Sequence, residues 1–298
     1  MNSRIRSASL KNVEMGVCKD MPEGERCFLI PIDDSVRDNL ESMLWTTYDQ
    51  LEGQREDYEL TQKYAAKENL VIRSSSPLSQ RGRELYETTN IQTNSRALDD
   101  PSSVLYYFAF FRYRGGDKVL GVRRAAQFKV VLSARNRLVR MVDETLRVVD
   151  DPVFRLDLDF DYLVEPEEIS IIRASGFEYT VSMAGYVEEA IESNIEELGR
   201  TIPFIDFESL TPFVQSHKRA ARVVAALRSR EDLARISKRK LVKMCRENNI
   251  NLVNRRGVLS PAAGHEDSLL KLLDRRRYVI SLIEDEYERY EAENRRTV

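Results

Sequence analysis

The sequence predicts an α+β protein. An antiparallel sheet of meander and hairpins carries an N-terminal helix and a helical C-terminal third. Three observations lead there. Residues 104–124, VLYYFAFFRYRGGDKVLGVRR, read as an aromatic strand, a Gly-Gly-Asp turn and a return strand. In 153–164 the apolar Phe154, Leu156, Leu158, Phe160, Tyr162 and Val164 alternate with Arg155, Asp157, Asp159 and Asp161, the period of a half-buried strand. Beyond residue 184 apolar side chains recur at helical spacing, as Val187, Ile191, Ile195 and Leu198 do. Strands followed by helices is the pattern of a segregated α+β chain.

Taken in order, residues 8–18 predict a first strand around Leu10, Val13 and Val17, and CFLIPI at 27–32 a second. Asp33, Asp34 and Ser35 offer N-caps to a helix in which Val36, Leu40, Met43, Leu44, Trp45, Tyr48 and Leu51 follow at helical spacing. Residues 52–66 are polar and mixed, compatible with more helix. LVIR at 70–73 is a short strand. Residues 74–103, rich in Ser, Thr, Asn and Gln with Pro77 and Pro101, read as a long polar loop. Leu138, Met141, Val142, Leu146 and Val149 predict a helix over 134–148. The meander then runs through 153–164, 168–173 and 177–183, turning at Glu165-Pro166-Glu167-Glu168 and Ser175-Gly176.

Further helices are expected from Thr211-Pro212, over 231–247, and over 266–293 with a break near Asp274; Arg256-Gly257 suggests a short strand pair within 251–258. The organisation expected is therefore an N-terminal α/β part at 1–103, an antiparallel β core at 104–184 and a mainly helical part at 185–298.

Composition excludes several classes. No apolar run approaches the length of a membrane span, and MNSRIRSASLKNVEMG lacks the apolar region of a secretory signal. Cys18, Cys27 and Cys245 form no CxxC pair and are odd in number, which favours a reducing cytoplasm over a disulfide framework. With only His217 and His265 besides, a zinc site is hard to build. His217 shares a helical face with Phe213, Ala220 and Val224 and reads as a core or boundary residue. Cys245 reads as a small packed hydrophobe. No phosphate-loop, dinucleotide, HExxH or GxSxG motif is present, and no cofactor is implied.

Charge is segregated. Residues 112–140 hold nine bases and one acid, net +8; 141–210 hold four bases and eighteen acids, net −14; 211–256 hold thirteen bases and three acids, net +10. One reading is a polyanion-binding face beside a surface that repels polyanions; the plainer one is that the blocks pair within the fold. The candidate phosphate-contacting residues are Lys218, Arg219 and Arg222 on one helical sector, Arg239 and Lys243 on the next helix, and Arg123 and Arg124 after the aromatic hairpin. Asp157, Asp159 and Asp161 on one strand face suit a hard divalent metal, or a solvated face partly paired with Arg155 and Arg173.

The run 153–183, with Phe154, Leu156, Phe160-Asp161, the acidic turn, Ile169–Ile172 and Phe177-Glu178, resembles the KwaB-like proteins of the bacterial Kiwa anti-phage defence system. The upstream FAFFRYRGGDKVLGVRR and the downstream SLLKLLDRRRYVISLIEDEYERY fit the same resemblance. It implies a cytoplasmic, non-catalytic DNA-binding effector that self-associates as a homodimer or larger homo-oligomer. It also implies a small membrane-embedded partner, KwaA, through which the chain would meet the inner membrane face. It carries no catalytic constellation. A metal-dependent nuclease built on the Asp157, Asp159 and Asp161 face, and a scaffold docking protein subunits, are the competing classes.

Overall fold

The computed structural model describes residues 10–62, 64–125, 139–142, 145–148, 154–228, 230–283 and 286–292. The chain divides into two compact units, residues 1–57 with 65–181 and residues 58–64 with 182–298.

The strands of the first unit are β1 (Leu10–Met21), β2 (Gly24–Ile30), β3 (Glu56–Asp57), β4 (Leu70–Arg73), β5 (Val104–Tyr113), β6 (Lys118–Arg124), β7 (Val139–Val142), β8 (Thr145–Val148), β9 (Tyr162–Val164) and β10 (Glu168–Ile171). Eight of them form one sheet in the order β2-β1-β5-β6-β9-β10-β4-β3. Neighbours run antiparallel except β3 beside β4. The N-terminal strands and the aromatic hairpin thus share a sheet, with Val13 opposite Phe111 and Val17 opposite Tyr107.

Helix α1 (Asp34–Gln50) starts where the Asp33 carboxylate accepts the Val36 N–H at 2.8 Å. It buries Leu40, Met43, Leu44, Thr47 and Tyr48, a stripe at i, i+3, i+4, i+7 and i+8. That stripe packs with Val13, Val17, Tyr107, Ala109 and Phe111 on one face of the sheet. On the other face Phe108 and Phe110 are also fully buried, so β5 is covered on both sides. Each such aromatic contributes roughly 1.5–3 kcal/mol of burial. This is why an unbroken apolar run, rather than an alternating one, builds the central strand. Helices α2 (Ser79–Glu87) and α3 (Ala174–Thr180) belong to this unit too, and Phe177 meets Tyr162 edge-on at 5.1 Å between centroids.

The second unit contains α4 (Met183–Glu189), α5 (Ile191–Thr201), α6 (Thr211–Ser216), α7 (Lys218–Arg228), α8 (Lys238–Glu247) and α9 (Glu266–Leu273). Two hairpins join them, β11 (Leu252–Arg255) with β12 (Val258–Pro261), and β13 (Arg277–Ile283) with β14 (Glu286–Glu291). Ile191, Ile195 and Leu198 of α5, Val224 and Leu227 of α7, and Leu269, Leu270, Leu272 and Leu273 of α9 are buried. The β11–β12 turn places Arg256 at φ 51° and Gly257 at φ 91°, the left-handed pair that a two-residue hairpin requires.

The α+β class, the antiparallel sheet, the 104–124 hairpin and the capped first helix agree with the sequence reading. Six segments do not. Residues 153–164 are not one strand: only 162–164 enter the ladder, while side chains hold 157–161 (below). Residues 177–183 give helix α3 and the start of α4 instead of a strand. Phe177 and Val181 lie on one helical turn as readily as on one strand face, and both are buried. Within 134–148 the described residues pair as strands, Val139 with Val148 and Val142 with Thr145; the rest of that expected helix lies outside the described residues. After Leu273, Arg275 takes φ 58° and ends α9, and 277–283 pair with 286–291 as strands rather than continuing a helix. The 74–103 loop holds α2 and a 3-10 turn at Pro101–Ser103, and 52–66 contains β3 and turns rather than helix.

Candidate nucleic-acid interface

Asp157, Asp159 and Asp161 of the acidic segment are paired with cations inside the first unit. Arg173 donates to both Asp159 oxygens, at 2.8 and 2.9 Å. Lys67 and Gln50 each reach Asp159 Oδ2 at 2.8 Å. Arg123 donates through Nε to Asp157 at 3.1 Å and through Nη1 to Asp161. Asp161 also accepts the Arg124 backbone N–H at 2.8 Å. Asp159 and Asp161 are buried. Burial alone would raise the Asp159 carboxyl, but the hydrogen bonds from Arg173, Lys67 and Gln50 hold it well below the usual carboxylate range. At Asp161 burial is the larger influence and pushes the carboxyl up against the pull of Arg123.

These ties account for the failed alternation. The Asp157 N–H goes to Tyr107 Oη at 2.9 Å and the Phe160 N–H to Thr47 Oγ1 at 2.9 Å, so neither pairs with a strand. The bend turns Asp159, Phe160 and Asp161 inward and leaves Leu158 83% exposed. The expectation of a buried Leu158 and an exposed Asp159 is thereby reversed. Among the described residues no group of three or more His, Cys, Asp or Glu side chains is placed to hold a metal ion. The expected partner Arg173 is confirmed, and Arg155 lies 3.6 Å from Asp157. The principal partners Arg123 and Lys67 come from segments too distant in sequence to suggest pairing.

The seven candidate phosphate-contacting residues are divided between the units. Arg123 and Arg124 lie in the first unit, the other five in the second. Arg123 is held by the carboxylates just described. Arg124 is exposed, with its guanidinium 3.9 Å above the Tyr179 ring. On α7, Lys218 pairs with Glu188 of α4 at 3.1 Å, and Arg219 is exposed. Arg222 is half-buried and donates through Nε to the Leu60 carbonyl. Nearby Arg228 pairs with Glu197 of α5 at 2.5 Å. Much of α7 therefore follows the plainer reading, with basic and acidic helices joined. His217 is exposed and stacks on Phe213 at 4.2 Å, at the boundary rather than in the core; Cys245 is buried.

Helix α8 differs. It buries Leu241 and Cys245, with Asn248 just beyond its end on the same side. At 100° per residue Arg239, Lys243 and Arg246 fall on the opposite side, and all three are exposed. Lys243 makes only a loose within-helix pair with Glu247 at 3.7 Å. Lys238 donates to the Gly257 carbonyl and so ties the β11–β12 turn to the start of the helix. That turn carries exposed Arg255 and Arg256. At the far end Arg289 of β14 donates to the Glu247 carbonyl at 2.6 Å. The result is a ten-residue helix flanked by two β-ribbons, with a row of cations facing outward. Arg246 extends the Arg239–Lys243 spacing by one turn and was visible in the sequence. The contribution of Arg255 and Arg256 depends on the hairpin docking, which spacing does not reveal.

No helix among the described residues is long and apolar enough to cross a membrane. Comparison with the curated proteins finds no match, and comparison with the solved structures finds none. A family model described as Kiwa protein KwaB-like matches residues 104–283, more than half of the chain. The match covers the aromatic hairpin, the Asp–Arg network and the α8 surface together, and the chain belongs to the KwaB-like family, a component of the multi-component Kiwa anti-phage defence system.

Proposed function

We propose that this chain is the DNA-binding, non-catalytic effector subunit of its Kiwa system, and that α8 with the β11–β12 turn is the surface that meets DNA. The observation that carries the reading is the outward row Arg239, Lys243 and Arg246, set opposite the buried Leu241 and Cys245 and beside Arg255 and Arg256. Over seven residues the row extends about 10 Å along the helix axis. Duplex DNA carries one charge per roughly 1.7 Å of its axis, so several phosphates lie within that span. Among the described residues no base-reading module accompanies the row, and the binding proposed is sequence-tolerant. Lys218, Arg219 and Arg222 add a secondary contribution from α7. The pairing of Asp157, Asp159 and Asp161 with arginines supports a role without catalysis by that face. Self-association and a membrane-embedded KwaA partner complete the proposal on the strength of the family resemblance.

The test is a salt titration of binding to a covalently closed duplex. Affinity should fall linearly on a log–log plot, and Arg239→Glu/Lys243→Glu/Arg246→Glu should flatten the slope by about 0.9 for each phosphate no longer neutralised. Binding that is unchanged in the triple variant, or independent of salt, overturns the reading. Incubation with Mg²⁺ or Mn²⁺ should leave the duplex uncut.

A further inference from the structure

A cavity of about 440 Å³ opens on a different side of α8, within the second unit. Its floor is apolar: Leu241 and Met244 of α8, Leu272 and Leu273 of α9, and Ile236. Leu241, Leu272 and Leu273 are buried. Its rim carries Arg230, Arg235, Lys240 and Arg275 against a single carboxylate, Asp232. Arg230 grips Asp232 through Nε at 3.0 Å and Nη2 at 2.7 Å, and its Nη1 donates to the Leu273 carbonyl at 2.7 Å. Arg275 binds the same carboxylate. Asp232 thus fixes two of the four cations. Arg235 and Lys240 are exposed and pair with no described carboxylate. On the helical wheel Lys240 and Met244 point roughly 100° away from the Arg239–Lys243–Arg246 row, so the cavity and the row are separate surfaces.

We infer that this cavity binds a nucleotide bearing a terminal phosphate, with the base on the apolar floor and the phosphomonoester between Arg235 and Lys240. Two unpaired cations beside a fixed arginine pair suit a dianion better than the single charge of a backbone phosphodiester. A phosphomonoester carries about −1.5 to −2 at neutral pH. Arginine presents the planar fork that phosphate oxygens accept, and lysine a point charge beside it. A leucine and methionine floor takes the face of a flat base. The volume falls within the ~300–1,000 Å³ of small-molecule sites. One chemistry has two sources, a free nucleoside monophosphate or the 5′-phosphorylated end of a DNA strand. The inference is independent of the row on α8, because a covalently closed duplex offers no terminal phosphate.

The experiment uses the full chain and three probes: dAMP, inorganic phosphate, and a short duplex carrying either 5′-phosphate or 5′-hydroxyl. Calorimetry should show dAMP binding at least about tenfold tighter than phosphate, reflecting the base on the floor. dAMP binding with no preference for the phosphorylated end assigns the site to free nucleotide; preference for the end, competed by dAMP, assigns it to strand termini. Arg235→Gln/Lys240→Gln should lower either affinity at least about tenfold yet leave closed-duplex binding within about twofold. Met244→Trp, which fills the floor, should abolish dAMP binding while thermal unfolding stays cooperative. The inference is overturned if neither dAMP nor the 5′-phosphate is recognised, if phosphate alone binds as well as dAMP, or if both folded variants bind like the parent.

Discussion

Arg173 holds both oxygens of the Asp159 carboxylate, at 2.8 and 2.9 Å, with each side chain largely withdrawn from water. The pair joins the segment after β10 to the bend before β9, and it fixes where the chain leaves the strand ladder. Removing Arg173 takes the bidentate partner from a buried carboxylate and leaves it only the single hydrogen bonds from Lys67 and Gln50. Arg173→Met should therefore destabilise the first unit by about 3–5 kcal/mol, and Arg173→Met/Asp159→Leu should recover much of that. Urea unfolding of the single and double variants checks it; additive losses would mean that the two side chains act separately.

The same carboxylate makes stability depend on acid. The Asp159 pKa is lower in the folded chain than in the unfolded one, so its contribution is present above the unfolded carboxylate value near ~4 and is lost as pH falls through the folded value. Melting temperature should decline more steeply below about pH 4 in the parent than in Asp159→Asn. Parallel profiles for the two proteins would refute the linkage.

Leu158 and Phe160 test the bend. Leu158 is 83% exposed and Phe160 fully buried against Phe111 at 5.9 Å between rings. Leu158→Ala should change stability by less than about 0.5 kcal/mol, whereas Phe160→Ala should cost about 3–5 kcal/mol. Equal costs measured by chemical denaturation would restore the simple strand.

Particular residues show what was legible from sequence. Asp33 with the 40, 43, 44, 47, 48 stripe, and the aromatic hairpin with its Gly-Gly-Asp turn, declare themselves through local capping and propensity. The bend at 157–161 does not, because its cause lies in Arg123, Arg173 and Lys67, up to ninety-two residues away in the chain. Alternation reports a free-energy preference of side chains for one face, and three arginine- or lysine-bound carboxylates outweigh one leucine. Likewise Phe177 and Val181 satisfy both periods, and the edge-on contact of Phe177 with Tyr162 is tertiary packing that spacing does not report. The cations of the candidate surface were legible as a net charge. That basic and acidic blocks could pair within the fold was legible as well, and Lys218 with Glu188 bears it out; that the Leu60 carbonyl takes Arg222 was not, since it reaches α7 through tertiary packing.

Gly176 marks the closest approach of α3 to the network. A Cβ there would collide with the Asp161 carboxylate. Although alanine favours helix by about 0.5–1 kcal/mol over glycine, Gly176→Ala should be net destabilising, because the displaced Asp161 is tied to Arg123 and to the Arg124 N–H. A raised melting temperature would show that the carboxylate can move aside without cost.

The two basic helices should respond differently to charge reversal. On α8, Arg239, Lys243 and Arg246 face outward, and changing all three to Glu should cost little stability, about 0.5 kcal/mol or less each, while weakening duplex binding steeply at low salt. On α7, Lys218→Glu/Arg219→Glu/Arg222→Glu removes the pair to Glu188 and the bond to the Leu60 carbonyl, and sets a new carboxylate beside each. That variant should lose stability as well as binding, with Arg222→Glu responsible for most of the stability loss because its side chain is half-buried. Denaturation and salt-dependent binding measured on both variants separate a surface built for phosphate from a surface that holds the fold. If the α8 variant unfolds while the α7 variant binds and folds like the parent, the assignment of the two helices is inverted.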